Sequence, residues 1–241
     1  MISESATQLD WQQIDTVLLD MDGTLLDLHF DSYFWLNHLP QRYGEKHGLL
    51  PEVAVPDIHQ RLMEKRGSLD WYCTDFWSRE LDVDILSLKR EVQHLIAERP
   101  EALTFLQALG IIGKRRILIT NASRDSIKLK FEVTGIQPLL DEVISSHDYG
   151  CPKEDQSFWQ QLQQQTPFDP QRTLFIDDSE AAVKEAVENK VVDLGLTRNA
   201  AGVEEQILAA TNGYGADAVI IAAATSSLDP INLAGAIARK K

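Results

Sequence analysis

The sequence predicts an α/β fold: a doubly wound parallel sheet with an α-helical segment inserted after its first strand. Three observations lead there. Compact apolar runs recur, helical stretches separate them, and each strong run ends on polar residues. Runs without strict alternation are the pattern of parallel strands buried on both faces. Strands alternating with helices build a doubly wound sheet.

The first run is Thr16-Val17-Leu18-Leu19, leading into Asp20. Residues 27–100 then change character, with Trp35, Trp71 and Trp77 and few β-branched runs. Helices are predicted there over 32–47, 56–66, 71–80 and 85–98, with Gly44, Gly48, Pro51, Pro56 and Gly67 as breaks. The second run, Arg116-Ile117-Leu118-Ile119, leads into Thr120. A helix over 124–134, a weaker strand from Leu140 to Ser145 and a helix over 155–165 follow. The third run, Thr173-Leu174-Phe175-Ile176, leads into Asp177, and a helix over 179–189 precedes an expected last edge strand at 191–196. In open α/β sheets the ligand crevice lies outside the carboxyl ends of the strands. The three polar strand ends are therefore expected to converge on one site.

At 241 residues the chain has room for one α/β domain of ordinary size plus a modest insertion. Its 44% hydrophobic and 25% charged residues exclude wholesale disorder and a fibrous protein. Lys and Arg number 23 against 37 Asp and Glu, a formal net charge of −14. That balance disfavours long phosphate tracks and anionic membranes, so neither nucleic acid nor a membrane is an expected partner. Cys73 and Cys151 are expected as reduced thiols. The polar, acidic N-terminus lacks the pattern of an export signal, and the longest apolar run, Ala218 to Ala224, is too short to span a bilayer. A cytoplasmic location is expected.

The sharpest local motif is Asp20-Met21-Asp22-Gly23-Thr24. Two carboxylates two residues apart at a strand end, followed by a turn glycine, share one loop mouth. Asp20 is placed to attack phosphorus as a nucleophile, splitting hydrolysis into two easier steps through an aspartyl-phosphate. Asp22 is placed to protonate the leaving oxygen and then deprotonate the attacking water. Read alone, the motif is also an Asx-turn. Thr120 and Asn121 offer a hydroxyl and an amide for phosphate oxygens, or a helix cap. Asp177 and Asp178 put two carboxylates together, which is costly unless a cation neutralises them. Oxygen ligands of this kind suit Mg²⁺.

The order Asp-x-Asp-Gly-Thr at 20–24, Thr-Asn at 120–121, Lys153 and Asp-Asp at 177–178 resembles the four motifs of the haloacid dehalogenase superfamily. Within it, the stretch from Val17 to Trp35, Trp71-Tyr72-Cys73 with Phe76-Trp77, and Pro152 to Gln156 are similar to the bacterial GMP/IMP nucleotidases. The likeness covers roughly residues 10–185. It implies a Rossmann-like core of residues 1–26 and 101–198, an α-helical cap domain at 27–100 and an atypical extension at 199–241. The implied activity is Mg²⁺-dependent hydrolysis of purine nucleoside 5′-monophosphates. The resemblance makes Asp20, Asp22 and Lys153 catalytic, with Lys153 paired to Asp20 and the phosphate. Thr120, Asn121 and Lys153 become substrate ligands. Asp20, Asp177, Asp178 and Asp22, the last through its main-chain carbonyl, become metal ligands. An acid at position 22 argues against a true dehalogenase. Phe30, Tyr33, Phe34, Trp35, Trp71, Tyr72 and Trp77 are candidates for stacking on a purine, with a role in the cap's own core as the plainer reading for most of them.

Beyond about residue 185 this likeness fades. Residues 203–241, with Val203 to Leu208 and Gly213 to Thr225, resemble a fragment of a medium-chain dehydrogenase. There Gly213 and Gly215 precede the apolar run instead of following one, so NAD is not expected. Two alternatives stay open for the function. One is a sugar-phosphate phosphatase or phosphomutase on the same core; the other is a non-catalytic binding protein with a fused tail.

Overall fold

The structure, a computed structural model, describes residues 11–191. Four strands, β1 (Thr16–Leu19), β2 (Arg115–Thr120), β3 (Glu142–Ser145) and β4 (Thr173–Ile176), form one sheet in the order β3-β2-β1-β4. Every pairing is parallel. Leu19 lies opposite Leu118 on one side and Ile176 on the other, so Asp20 and Asp177 emerge at the same level. The expected edge strand at 191–196 and the atypical segment at 199–241 fall outside the described residues, save for Val191.

Alternation along the strands divides the core into two layers. Val17, Leu19, Leu118 and Leu174 face Leu106 and Leu109 of α6 (Ala102–Ile111) and Ile127 and Phe131 of α7 (Arg124–Thr134). Leu18, Ile117, Ile119 and Phe175 face Phe158, Trp159 and Leu162 of α8 (Gln156–Gln165) and Ala182, Val183 and Ala186 of α9 (Glu180–Glu188). Helices on both sides explain why the strands are unbroken apolar runs. Burying each large apolar side chain of this kind stabilises the fold by about 1.5–3 kcal/mol.

Between β1 and β2 the chain is helical: α1 (His29–Tyr33), a π-helical turn (Phe34–His38), α2 (Leu39–His47), α3 (Pro51–Lys65), α4 (Thr74–Leu81) and α5 (Ile85–Glu91). These elements gather a core of their own around Phe30, Phe34, Ile58, Trp77 and Ile85. Leu129 of α7 joins that core while its neighbours face the sheet, so α7 is shared by both layers.

Two expected breaks are not breaks. Pro56 lies inside α3. It sits on the exposed face, where water satisfies the carbonyl it leaves unbonded, while Ala54, Ile58 and Leu62 bury the opposite face. Gly44 lies inside α2, where an added Cβ would come 3.1 Å from the Cβ of Ala54; glycine there permits the close approach of α2 and α3. Gly48 does end α2, with a left-handed φ of 65°. The helix expected over 85–98 stops at Glu91, followed by a single 3₁₀ turn, Gln93–Leu95.

Candidate active site

Asp20 follows β1 directly and its backbone N–H continues the ladder, donating to the Ile176 carbonyl at 2.9 Å. The chain then folds tightly, Leu25 and Leu26 both donating to the Met21 carbonyl at 3.0 and 2.8 Å. Gly23 makes this turn with a φ of +97°. A Cβ at Gly23 would lie 2.1 Å from Asp178 Oδ2, so glycine is required for the first and last acidic motifs to meet.

The meeting point is buried. Lys153 Nζ donates to Asp20 Oδ1 and to Asp177 Oδ2, both at 2.5 Å. Its side chain is 3% exposed, against 7% for Asp20 and none for Asp177. Asp177 Oδ1 accepts from the Ser179 N–H at 2.7 Å, so both oxygens of Asp177 are used. Asp20 Oδ2 is buried with no hydrogen-bond partner. Carboxylate oxygens of Asp20, Asp177 and Asp178 lie within 4.8 Å of one another.

Burial, partly opposed by Lys153 and reinforced by Asp177, pushes the Asp20 carboxyl up to about 7. Burial and the charge of Asp20 raise Asp178 to about 6, and burial raises Asp177. Lys153 is held charged: desolvation opposes its proton, but Asp177 and Asp20 outweigh it. Three carboxylates against one ammonium leave a deficit of positive charge. An unpartnered buried oxygen inside an all-oxygen cluster fits a hard divalent cation.

Lys153, Thr120 and Asn121 are held by the strand ends and the loop after β3. Asn121 Oδ1 accepts from the Lys153 N–H at 2.9 Å, and Asn121 Nδ2 donates to Glu154 Oε2 at 2.8 Å. Trp159 Nε1 donates to the Lys153 carbonyl at 2.8 Å, fixing that residue from α8. Asn121 thus braces the Lys153 loop as well as lining the site. Thr120 Oγ1 accepts from the Ala122 N–H at 3.1 Å, leaving its hydroxyl proton free to donate.

Asp22 behaves differently from the trio. Its Oδ1 accepts from Lys130 Nζ at 2.6 Å, and Lys130 also donates to Asp31 Oδ2 at 2.6 Å. Of the aromatic candidates, Phe30, Phe34 and Trp77 are buried in the helical layer's core, with Trp35 and Trp71 packed against it. Tyr33 is 37% exposed. Tyr72 is the aromatic that reaches the strand ends. Burial and the neighbouring Glu154 push its phenol up to about 12, with Asn121, Lys153 and Asp20 also beside it.

Sequence reasoning missed Glu154, Lys130, Asp31 and Lys89. Glu154 joins two strand ends, accepting from Asn121 and, at 3.3 Å, from the Ser179 hydroxyl; its only signal was adjacency to Lys153. Lys130 carried no local signal; only the fold shows that Leu129 and Phe131 on either side of it face different cores.

Residues 14–187 match the family model of haloacid dehalogenase-like hydrolases. The GMP/IMP nucleotidase YrfG of Escherichia coli (strain K12) is 43% identical over 197 residues, 81% of this chain and 89% of the relative. The protein of the same name from Shigella flexneri matches to the same extent. Among solved structures, a HAD phosphatase from Thermococcus onnurineus superposes with a TM-score of 0.69 at 20% identity, covering 94% of this chain and all of that one. The L-2-haloacid dehalogenase from Xanthobacter autotrophicus superposes with a TM-score of 0.55 at 17% identity, covering 91% and 98%. At those identities the structures speak to fold alone. The dehydrogenase likeness of residues 203–241 is not borne out by these matches. Among the described residues, no helix is long and apolar enough to cross a membrane.

Proposed function

Because the chain belongs to the haloacid dehalogenase-like hydrolase family, we propose that it is a Mg²⁺-dependent phosphatase of purine nucleoside 5′-monophosphates, GMP and IMP. The nucleotide specificity rests on the 43% identity to a GMP/IMP nucleotidase. The observation that carries the chemistry is the unpartnered, buried Asp20 Oδ2 beside Asp177 and Asp178.

In this reading a carboxylate oxygen of Asp20 attacks phosphorus and the bond to the nucleoside 5′-oxygen breaks. The departing oxygen takes a proton from Asp22, whose carboxyl is raised chiefly by burial and is thereby suited to start protonated. The Thr120 hydroxyl, an Asn121 amide hydrogen and the Lys153 ammonium hold the phosphoryl oxygens. Asp22, now ionised, takes a proton from water as that water attacks the phosphorus of the Asp20 acyl phosphate. Inorganic phosphate leaves and both carboxyls return to their starting states. Lys153, within 2.5 Å of both Asp20 and Asp177, favours the ionised form of Asp20. Mg²⁺, held by Asp20, Asp177, Asp178 and the Asp22 main-chain carbonyl, would offset repulsion between carboxylate and phosphate.

Residues 27–100 act as a cap over a core of residues 1–26 and 101–198, excluding water and contacting the base. Tyr72 is the candidate for the substrate side of that cap. The enzyme works in the cytoplasm. The test is phosphate release across a panel of nucleoside monophosphates and hexose phosphates with added Mg²⁺. Preference for GMP and IMP, lost in Asp20→Asn and on adding EDTA, is the expected result. Preference for hexose phosphates would replace the substrate, and full activity in Asp20→Asn would end the mechanism.

A further inference from the structure

A second buried ion network lies on the other side of Asp22. Lys130 Nζ bridges Asp22 Oδ1 and Asp31 Oδ2, each at 2.6 Å, and Lys89 Nζ closes on Asp31 Oδ1 at 3.1 Å. The two lysine side chains are 2% and 3% exposed. The four residues come from three places: the loop after β1, the helical layer through α1 and α5, and α7 from the sheet side. Once Asp22 has given up its proton, two positive and two negative charges balance.

Charges buried this deeply are expensive, and an apolar side chain of similar volume would fill the space more cheaply. Packing alone therefore gives no reason for lysine at 130. Its surroundings also deny it freedom. Ile127 and Phe131 anchor α7 to the sheet, Leu129 anchors it to the helical core, and the Phe30 ring lies 5.6 Å from the ammonium. Lys89 is fixed in turn by the rings of Phe30, Phe34 and Trp35, each 5.1 to 5.3 Å away. A cation with so little freedom fixes whatever it binds. It holds one oxygen of Asp22, and among the described residues the other, Oδ2, accepts no hydrogen bond and stays on a side chain 24% exposed.

We propose that Lys130 is the positioning residue of Asp22. It clamps Oδ1 so that Oδ2 faces the leaving oxygen, and Asp31 with Lys89 hold the clamp from the helical layer. The proposal rests on the reading of Asp22 as the acid. The orientation of the acid then depends on how the helical layer seats against α7.

A merely structural lysine would affect all substrates alike, whereas a positioned acid matters most when the leaving group needs a proton. The test compares kcat/KM for GMP with that for p-nitrophenyl phosphate, whose nitrophenolate departs without one. Because both values come from one preparation of each variant, the folded fraction cancels in their ratio. In Lys130→Met, kcat/KM for GMP should fall by about 10²-fold, as for loss of a general acid, and that for p-nitrophenyl phosphate by several-fold less. Lys130→Arg should close much of the gap, and Asp31→Asn should open a smaller one of the same sign. Asp22→Asn is the reference. If it separates the two substrates and Lys130→Met does not, the positioning role is overturned while the acid reading stands. If Asp22→Asn fails to separate them, the acid reading falls and takes the proposal with it.

Discussion

Replacing Lys153 by Met removes the cation from between Asp20 and Asp177. Two ion pairs of 2.5 Å are broken at once, among side chains no more than 7% exposed. Removing one partner of a buried pair costs about 3–5 kcal/mol, because the other charge stays buried without compensation. Even about 3 kcal/mol lowers the thermal midpoint of a chain this size by about 6–12 °C. The penalty has a pH sign. Asp20 already sits near 7, with Lys153 opposing the rise that burial causes, so removing Lys153 raises it further. In acid the orphaned carboxyl takes a proton and the penalty shrinks; in alkali it does not. A divalent cation should bind the variant more tightly than the wild type, by about tenfold or more, because one positive charge has left the cluster. Yet phosphate release should be lost. Thermal melts at about pH 5 and about pH 8, with and without Mg²⁺, measure the stability and the cation binding, and a phosphate-release assay measures the activity. A variant as stable as the wild type at both pH values, with unchanged cation affinity, would refute the view that this ammonium balances the acidic cluster.

Gly23→Ala should push Asp178 aside, since the new Cβ would lie 2.1 Å from its Oδ2 on a backbone with a φ of +97°. A stability loss of about 1–3 kcal/mol is expected, together with clearly weaker divalent-cation binding by calorimetric titration; unchanged affinity would show that Gly23 and Asp178 do not share the site. In the metal-free wild type, Asp20 is raised to about 7 and Asp178 to about 6. The folded state then holds more protons than the unfolded one, so stability should fall as pH rises from about 4 to about 7. Added Mg²⁺ should accordingly raise the melting midpoint more at about pH 8 than at about pH 5; equal shifts would count against a carboxylate site.

The sheet was legible because each of its strong strands carries three consecutive apolar residues, Val17 to Leu19, Ile117 to Ile119 and Leu174 to Ile176, without the alternation of a half-exposed strand. Asp20, Thr120 and Asp177 were legible because a parallel sheet sends its strand ends to one edge. Lys153 has no partner near it in the sequence, and the family resemblance alone gives it one. The network of Lys130, Asp31 and Lys89 was not legible. Its members are 58 and 99 positions apart, and nothing local distinguishes a lysine aimed into a core from one aimed at water. Pro56 and Gly44 misled for the opposite reason. Their local preference is to end a helix, but exposure of Pro56 and the tight contact of Gly44 with α3 override it.

The measurement that bears most directly on the mechanism is a search for the phosphorylated carboxyl itself. Rapid acid quenching during GMP turnover, followed by borohydride reduction, converts an acyl phosphate to an alcohol that mass spectrometry locates. Substrate-dependent modification at Asp20, absent from Asp20→Asn, is the expected result. Continued turnover with Asp20 unmodified at every quench time, or with the label on another side chain, would contradict it.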